Sequence, residues 1–231
     1  MSKFLVFIFL FFIGSIFGYI LELFYRRIVG GKWVNPGFLI GPYLPIYGFG
    51  LCVLTFIYLL FFKLYLSPVF IIILMGFCMT IIELVGGLFF MKAGSVKLWD
   101  YSDLKWNYKG IICPQFSIIW TILSAIYYYF LADKIINALA WFSNNLSFSF
   151  ILGIFFGVII LDYIYSTNTL VKIRRFAKNN DFVVKYEELK KHIKEIQEKN
   201  KDKYSFMFPF KQTKNLLEYL DAYRKKLKKK K

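Results

Sequence analysis

Three carboxylates stand inside long apolar stretches, where an ionised group needs a partner, a water-filled cavity or a proton. They are Glu22, Glu83 and Asp162. An unpaired charge in hydrocarbon costs about 2.5–3.5 kcal/mol or more. Arg26 follows Glu22 by four residues, so an ion pair near the end of a helix would account for Glu22. Glu83 and Asp162 have no basic residue three or four positions away, so the sequence predicts another role for them.

Glu83 and Asp162 lie at the same predicted depth, about eight residues or roughly 12 Å from the ends of their apolar runs. Equal depth predicts one shared polar cavity that opens to the cytoplasm and in which at least one carboxyl group holds a proton. Such a cavity would form part of a substrate or proton pathway, to which Glu22 is a third candidate. A buried, hydrogen-bonded packing site is the other interpretation.

A segment dense in glycine, proline and aromatic residues runs from Asn35 to Gly50. Irregular backbone at membrane depth is tolerated where protein covers it or where it lines a cavity. The segment therefore predicts either a re-entrant lining or a rigid packed loop. Its candidate functional residues are Asn35, Gly41, Pro42, Tyr43, Pro45 and Tyr47.

A second loop places a carboxylate among aromatic side chains. Its candidate residues are Trp99, Asp100, Tyr101, Ser102 and Asn107. The carboxylate would suit a cationic group or a lipid headgroup, whereas an aromatic belt at the membrane interface is the alternative.

Familiar catalytic constellations are missing from the sequence. The one histidine, His192, stands in the basic C-terminal region, and the three cysteines have neither zinc-site nor disulfide-framework spacing. The sequence thus indicates no catalytic residue, metal or cofactor and favours a non-enzymatic role. It also has no phosphate-binding P-loop, so this chain does not hydrolyse ATP by that route.

The elements that must position these residues are long helices. The sequence is 58% hydrophobic with a mean hydropathy of +0.52, and its apolar residues form runs close to the 20 residues that cross a bilayer. We predict an all-α, polytopic membrane protein with a transmembrane domain over residues 1–170 and a basic, helical cytoplasmic tail over 171–231. Residues 132–147 are expected to form a short helix on the surface. The predicted spans are 4–25, 44–62, 69–91, 111–131 and 148–170.

Charge distribution predicts the orientation. Of the net charge of +16, residues 171–231 carry 20 Lys/Arg against 8 Asp/Glu. The loops at 26–43 and 92–110 hold seven Lys/Arg, against three in the other connecting segments. Since positive charge is enriched on the cytoplasmic side, we predict five spans with the N-terminus outside. Beside a membrane domain, the basic tail favours anionic lipid rather than nucleic acid as its partner.

Two apolar stripes mark the tail. One contains Phe182, Tyr186, Leu189, Ile193 and Ile196, and the other Leu216, Leu220, Tyr223 and Leu227. Their steps of three and four indicate two amphipathic helices. The helices would fold back on each other as a hairpin or bind a partner as a coiled coil.

Four strings together resemble one bacterial family, the putative ABC-transporter type IV permeases or CmpB-like proteins. The resemblance covers roughly residues 14–131 and, more loosely, the fifth span. It implies a multi-pass protein of the bacterial inner membrane and a permease subunit. The strings are Gly18-Tyr19-Ile20-Leu21-Glu22, the segment 35–50, Trp99-Asp100-Tyr101-Ser102 and Ile112-Cys113-Pro114-Gln115-Phe116-Ser117.

The chain departs from the family pattern at three positions. Pro36 and Ile111 stand where arginine is usual, and Gln115 stands where an acidic residue is frequent. An anion-handling role that depends on those charges therefore does not carry over.

Two functional hypotheses follow. The first is a permease-like transport protein that associates with a separate ATPase subunit or with further copies of itself. The second is a non-transporting membrane scaffold, or a protein that modifies envelope lipids at the cytoplasmic face. The sequence does not indicate the substrate.

Overall fold

The apolar runs form long helices that extend past the runs themselves. The structure is a computed structural model that describes residues 2–62, 64, 66–94, 96–180, 182–199, 206, 208–209 and 216–228, and it is mostly helical, at 78%. The helices are α1 (Lys3–Gly30), α2 (Pro45–Phe62), α3 (Pro68–Gly94), α4 (Pro114–Ile126), α5 (Ala132–Asn144), α6 (Ser149–Asn179), α7 (Tyr186–Lys199) and α8 (Leu216–Lys228). A π-helical turn, Tyr127–Leu131, joins α4 to α5, and a 3-10 turn, Leu146–Phe148, precedes α6. Two short strands are β1 (Val96–Lys97) and β2 (Val184–Lys185).

Four helical stretches among the described residues are long and apolar enough to cross a membrane. They are Lys3–Gly30, Pro68–Met91, Pro114–Asn144 and Leu146–Asn179. The second predicted span forms a shorter apolar helix, Pro45–Phe61. Length and composition therefore support a multi-pass membrane protein, and the four candidate spans coincide with four of the five predicted ones.

The stretch after the fourth predicted span differs from the expected surface helix. Helical structure continues through the π-helical turn into α5, and Phe142 at its far end is fully buried. Its ring stacks on Phe9 of α1, with 4.6 Å between ring centroids. The apolar face of residues 132–144 thus packs into a protein core because a phenylalanine from α1 covers it.

The first of two compact units comprises Met1–Ile20, Tyr43–Gly86 and Tyr101–Ile160. In it, α1 and α2 approach closely through glycines. A Cβ atom at Gly18 would lie 2.2 Å from the Cβ of Tyr47, and one at Gly48 would lie 2.4 Å from the hydroxyl of Ser15. Gly14 and Gly18, four residues apart on α1, both face α2, and such small residues allow close approach between apolar helices, where van der Waals packing drives association. The glycines therefore fix the position of the Tyr47 side chain.

The second unit comprises Leu21–Pro42, Gly87–Asp100 and Leu161–Lys231. These units divide the chain differently from the sequence-based boundary at residue 170. Strands β1 and β2 pair in parallel, with Val96 opposite Val184. The predicted stripes of α7 and α8 share one buried core that includes Leu189, Ile193 and Leu220. The described part of the tail therefore packs with the two loops of its own unit.

Candidate functional site

Glu83 is buried in the first unit and accepts hydrogen bonds from two aromatic side chains. Its exposed fraction is 3%. The Tyr101 hydroxyl donates to Oε1 at 2.8 Å, and Trp120 Nε1 donates to Oε2 at 3.0 Å. Both carboxylate oxygens therefore have donors, which offsets part of the cost of burying the group.

Aromatic packing holds the two donors of Glu83 in place. The Tyr101 ring stacks on Phe116 of α4, with centroids 4.2 Å apart, and the Tyr47 ring lies 5.6 Å from Trp120. Pro114 begins α4, where its missing N–H is not needed. Two residues from the two sequence-predicted loops, Tyr47 and Tyr101, thus meet around Glu83 and its indole partner.

Asn107 closes the loop that carries Tyr101. Its amide donates to the carbonyls of Ser102 and Leu104 at 3.2 and 2.8 Å and accepts from the Gly110 amide at 2.9 Å. The Tyr101 amide donates to the Gly110 carbonyl at 2.8 Å. Asn107 therefore acts by shaping the loop.

Asp162 of α6 binds the backbone of the glycine- and proline-rich segment in the second unit. The amide of Ile40 donates to its two oxygens at 3.1 and 3.0 Å, and the amide of Gly41 donates at 2.8 Å. The Ser166 hydroxyl donates at 2.8 Å. Hydrogen bonds to a charged acceptor are among the stronger ones, so Asp162 fixes this segment to α6.

Asn35 shapes the start of the same segment. It is 3% exposed, and its amide nitrogen donates to the carbonyls of Leu39 and Ile40 at 3.3 and 2.9 Å. Gly37 has a φ of 71°, which favours glycine. Asn35 also lines a cavity of about 20 Å³, room for about one water molecule.

Lys190 of α7 reaches this segment from the tail and is 2% exposed. Its ammonium donates to the carbonyls of Asn35 at 2.5 Å and Gly37 at 2.8 Å, and it lies 3.0 Å from Glu187 Oε1. Burial lowers the pKa of the Lys190 ammonium, and the neighbouring Glu187 carboxylate opposes that shift. Three acceptors therefore compensate a cation that has left water.

Glu22 belongs to the same ion-pair network as Glu187 and Lys190. Arg26 Nε donates to Glu22 Oε1 at 2.9 Å, as their four-residue spacing predicts, and Arg26 also pairs with Glu187. The ion pairs run from α1 to α7, so Glu22 helps to hold the tail helix.

Asp100 binds cationic groups of the chain itself. Its oxygens lie 2.9 Å from Lys97 Nζ and 2.8 Å from Lys185 Nζ. The pairs join Asp100 to β1 and β2. The neighbouring Trp99 is half-buried, and Ser102 is exposed.

The remaining candidates of the segment 35–50 have packing or turn positions. Tyr43 is buried, with its ring 5.6 Å from that of Phe155. Pro45 begins α2, and Pro42 is exposed in the preceding turn.

The structure therefore groups the candidates around two carboxylates. Tyr47 and Tyr101 lie in the unit of Glu83, whereas Asn35, Gly41 and Glu22 lie in the unit of Asp162. A single site shared by Glu83 and Asp162 stays a prediction.

Sequence reasoning missed Trp120, Ser166, Glu187 and Lys190. Ser166 carried a signal, since it follows Asp162 by one helical turn. Lys190 carried one too, because it stands four residues after Tyr186 and three before Ile193, on the stripe that becomes buried.

Comparison with known proteins gives one match. The model of a family described as Putative ABC-transporter type IV matches residues 9–167. This range contains all of the site residues predicted from the sequence, and Glu187 and Lys190 lie after it. Searches of curated proteins and of solved structures gave no match.

Proposed function

Since the chain belongs to the family described as Putative ABC-transporter type IV, we propose that it is a permease-like membrane subunit driven by a separate ATPase. The observation that carries this proposal is the buried Glu83 within the span Pro68–Met91. Ionisable groups inside membrane spans are costly and mark substrate or ion pathways. The absence of a P-loop from the sequence assigns ATP hydrolysis to another chain.

In this proposal, the pathway includes the carboxylates Glu83 and Asp162. Glu83 supplies a polar group in the first unit, and the Tyr101 and Trp120 donors orient it. Asp162 supplies one in the second unit, where it also holds the backbone of residues 40–41. Glu22, at the end of α1, belongs to the ion-pair network beside this segment.

We place the protein in the bacterial inner membrane with five crossings and the N-terminus outside. The orientation follows the loop charges, and contacts within the second unit support the number of crossings. Arg26, just before the first loop, pairs with Glu187, and Val96, just after α3, pairs with Val184. Both segments therefore lie on the side of α7. In the proposed topology α3 crosses the membrane between them, and these contacts therefore support a crossing by α2 as well.

Cysteine labelling tests this topology. The three native cysteines are first replaced by serine, and single cysteines are then introduced as Leu64→Cys or Lys105→Cys. A membrane-impermeant maleimide added to intact cells should label Leu64→Cys and should not label Lys105→Cys. Permeabilised cells, in which both label, provide the control. Labelling of Lys105→Cys in intact cells would contradict the proposed orientation.

Stimulated ATP hydrolysis tests the proposed function without a known substrate. The full-length chain, purified in mild detergent, should bring with it a P-loop ATPase whose turnover rises severalfold once both are in liposomes, because membrane partners commonly complete the transport cycle. A variant of that ATPase without its P-loop lysine gives the background rate. Purification without any P-loop ATPase, or an ATPase whose turnover the chain leaves unchanged, would overturn the proposal.

We further propose that anionic lipid lies near the tail. The last two turns of α6 carry Lys172, Arg174, Arg175 and Lys178. Each basic residue near an anionic surface contributes about 1 kcal/mol. We also propose that further copies of the chain can associate with it as a homo-oligomer in the same bilayer.

A further inference from the structure

The loop between α3 and α4 carries an exposed tryptophan in an uncommon backbone conformation. Trp106 is 87% exposed and has a φ of 57°. Lys109 has a φ of 55°. Residues other than glycine enter this left-handed region at a cost and remain there when the surroundings fix them.

Hydrogen bonds around the loop provide that fixation. Besides the three bonds of the Asn107 side chain, the Tyr108 amide donates to the Ile112 carbonyl at 2.9 Å. The Ile111 amide donates to the Tyr108 carbonyl at 2.9 Å, and the Ile111 side chain is 2% exposed. The loop is thus a defined structure that presents its tryptophan outward.

The depth of the loop follows from Tyr101 at its base. Its hydroxyl bonds to Glu83, which stands eight residues before Met91, the end of the apolar part of α3. Eight helical residues correspond to about 12 Å. A tyrosine side chain spans only part of that distance, so the base of the loop lies beside the membrane-spanning part of α3.

The helix that leads into this loop, α3, has a lipid-facing stripe. On α3, four apolar residues at four-residue spacing are exposed, from Phe77 and Ile81 to Val85 and Phe89. Such a stripe on a candidate span faces hydrocarbon. Four exposed side chains of the loop, Lys105, Trp106, Tyr108 and Lys109, are aromatic or basic, which are the residue types enriched where a span meets the headgroup layer.

We propose that this loop is an anchor for the headgroup layer of the leaflet in which α3 ends and α4 begins, with a preference for anionic lipid. Trp106 and Tyr108, which is 52% exposed, enter the interface between headgroups and acyl chains. Lys105 and Lys109 bind lipid phosphates, and the ammonium of Lys109 lies 5.3 Å from the Tyr108 ring centroid. Asp103 is the one acidic residue between Ser102 and Gly110, so the tip is net basic.

Depth-dependent fluorescence quenching tests the anchor in full-length protein reconstituted into liposomes. Subtracting the emission of Trp106→Phe from that of the unchanged chain isolates Trp106. Lipids brominated near the headgroup should reduce this component at least about twofold, as expected for an interfacial indole. Aqueous iodide should leave it nearly unchanged. Trp33→Phe, which removes an exposed tryptophan elsewhere, controls the subtraction.

Lipid preference separates this anchor from a protein-binding loop. Lys105→Gln and Lys109→Gln should each weaken the enrichment of phosphatidylglycerol at the protein by up to about fivefold. Both lysines are exposed, so the fold should persist, which far-UV circular dichroism would verify. If the Trp106 component is quenched by iodide and not by brominated lipid, the proposal is wrong. Equal behaviour in zwitterionic and anionic vesicles would overturn the lipid preference.

Discussion

Replacing Lys190 with methionine should lower the free energy of unfolding by about 3–5 kcal/mol, the usual cost of removing one partner from a buried ion pair. The ammonium donates to the carbonyls of Asn35 and Gly37 and pairs with Glu187. Methionine keeps much of the side-chain volume. It leaves the two carbonyls and the Glu187 carboxylate without the ammonium donor in a buried place. Thermal unfolding in detergent, followed by circular dichroism, measures the loss.

Lys191→Met provides the matched control. It removes the same charge from the next residue of α7, but Lys191 is exposed. Surface substitutions change stability by about 0.5 kcal/mol or less. Equal unfolding temperatures for Lys190→Met and Lys191→Met would show that the contacts of Lys190 carry no stability.

A double-mutant cycle isolates the ion pair. Glu187→Gln combined with Lys190→Met removes both partners, so the loss should be smaller than the two single losses added together. Arg26 also pairs with Glu187, so the Glu187→Gln loss will include that second contact. Strict additivity would contradict a direct pair.

Alkaline pH gives a second signature of Lys190. Because burial lowers its pKa below the usual value of 10.5, the unfolded chain binds more protons between the lowered value and 10.5. Stability contributed by this residue should therefore rise with pH across that window and be lost as pH falls through it. The difference between the unchanged chain and Lys190→Met should show this slope, whereas the difference for Lys191→Met should not.

The helices were predictable because their signal is local. Hydropathy over about twenty residues depends only on neighbouring residues, and it located the long helices as well as the stripes of α7 and α8. Their ends were less predictable. Arg26 and Arg27 ended the first apolar run, yet α1 continues to Gly30, since a basic sequence remains helical in water when it packs on other protein.

The partners of the carboxylates were not predictable, because they come from distant parts of the chain. Tyr101 and Trp120 follow Glu83 by 18 and 37 residues. The amides that bind Asp162 precede it by more than 120 residues and belong to the backbone, so no side-chain pattern reveals them. A pattern of charges one helical turn apart does not reveal these partners, because they are aromatic side chains for Glu83 and backbone amides for Asp162.

The predicted shared cavity rested on equal depth, which is a weaker constraint than contact. Residues at one level on different helices meet only if the helices bring those faces together. The contacts place Glu83 in one unit and Asp162 in the other, each with its own donors. The two residues can therefore be tested separately.

Glu83→Gln should abolish ATPase stimulation while changing stability by about 1 kcal/mol or less. Glutamine can retain both contacts, because its oxygen can accept from the Trp120 indole and its amide can donate to the Tyr101 hydroxyl, which also accepts hydrogen bonds. A loss of function in a normally folded variant would then report the missing charge or proton.

Asp162→Asn should behave in the opposite way and destabilise the protein by about 1–3 kcal/mol. The carboxylate accepts from the amides of Ile40 and Gly41 and from Ser166. Asparagine can place its oxygen where Oδ2 accepts from both amides and turn its amino group toward the Ser166 hydroxyl, which can also accept. The acceptor is then no longer charged, and a hydrogen bond to a charged group contributes about 1 kcal/mol more than a neutral one. Loss of function in Asp162→Asn would follow from displacement of the segment 35–41. Increased protease cleavage between α1 and α2 would detect that displacement.

An infrared comparison of the two variants completes the test. If one carboxyl group holds a proton near neutral pH, the purified protein shows the absorption band of a protonated carboxyl, and one of the two variants removes it. A Glu83→Gln variant that folds normally and still stimulates the ATPase would make Glu83 a packing group. A band that survives in both variants would assign the proton to neither residue. If Glu83 is a packing group and neither carboxyl group holds the proton, the pathway proposed through these carboxylates would have to be abandoned, whatever the stability of Asp162→Asn.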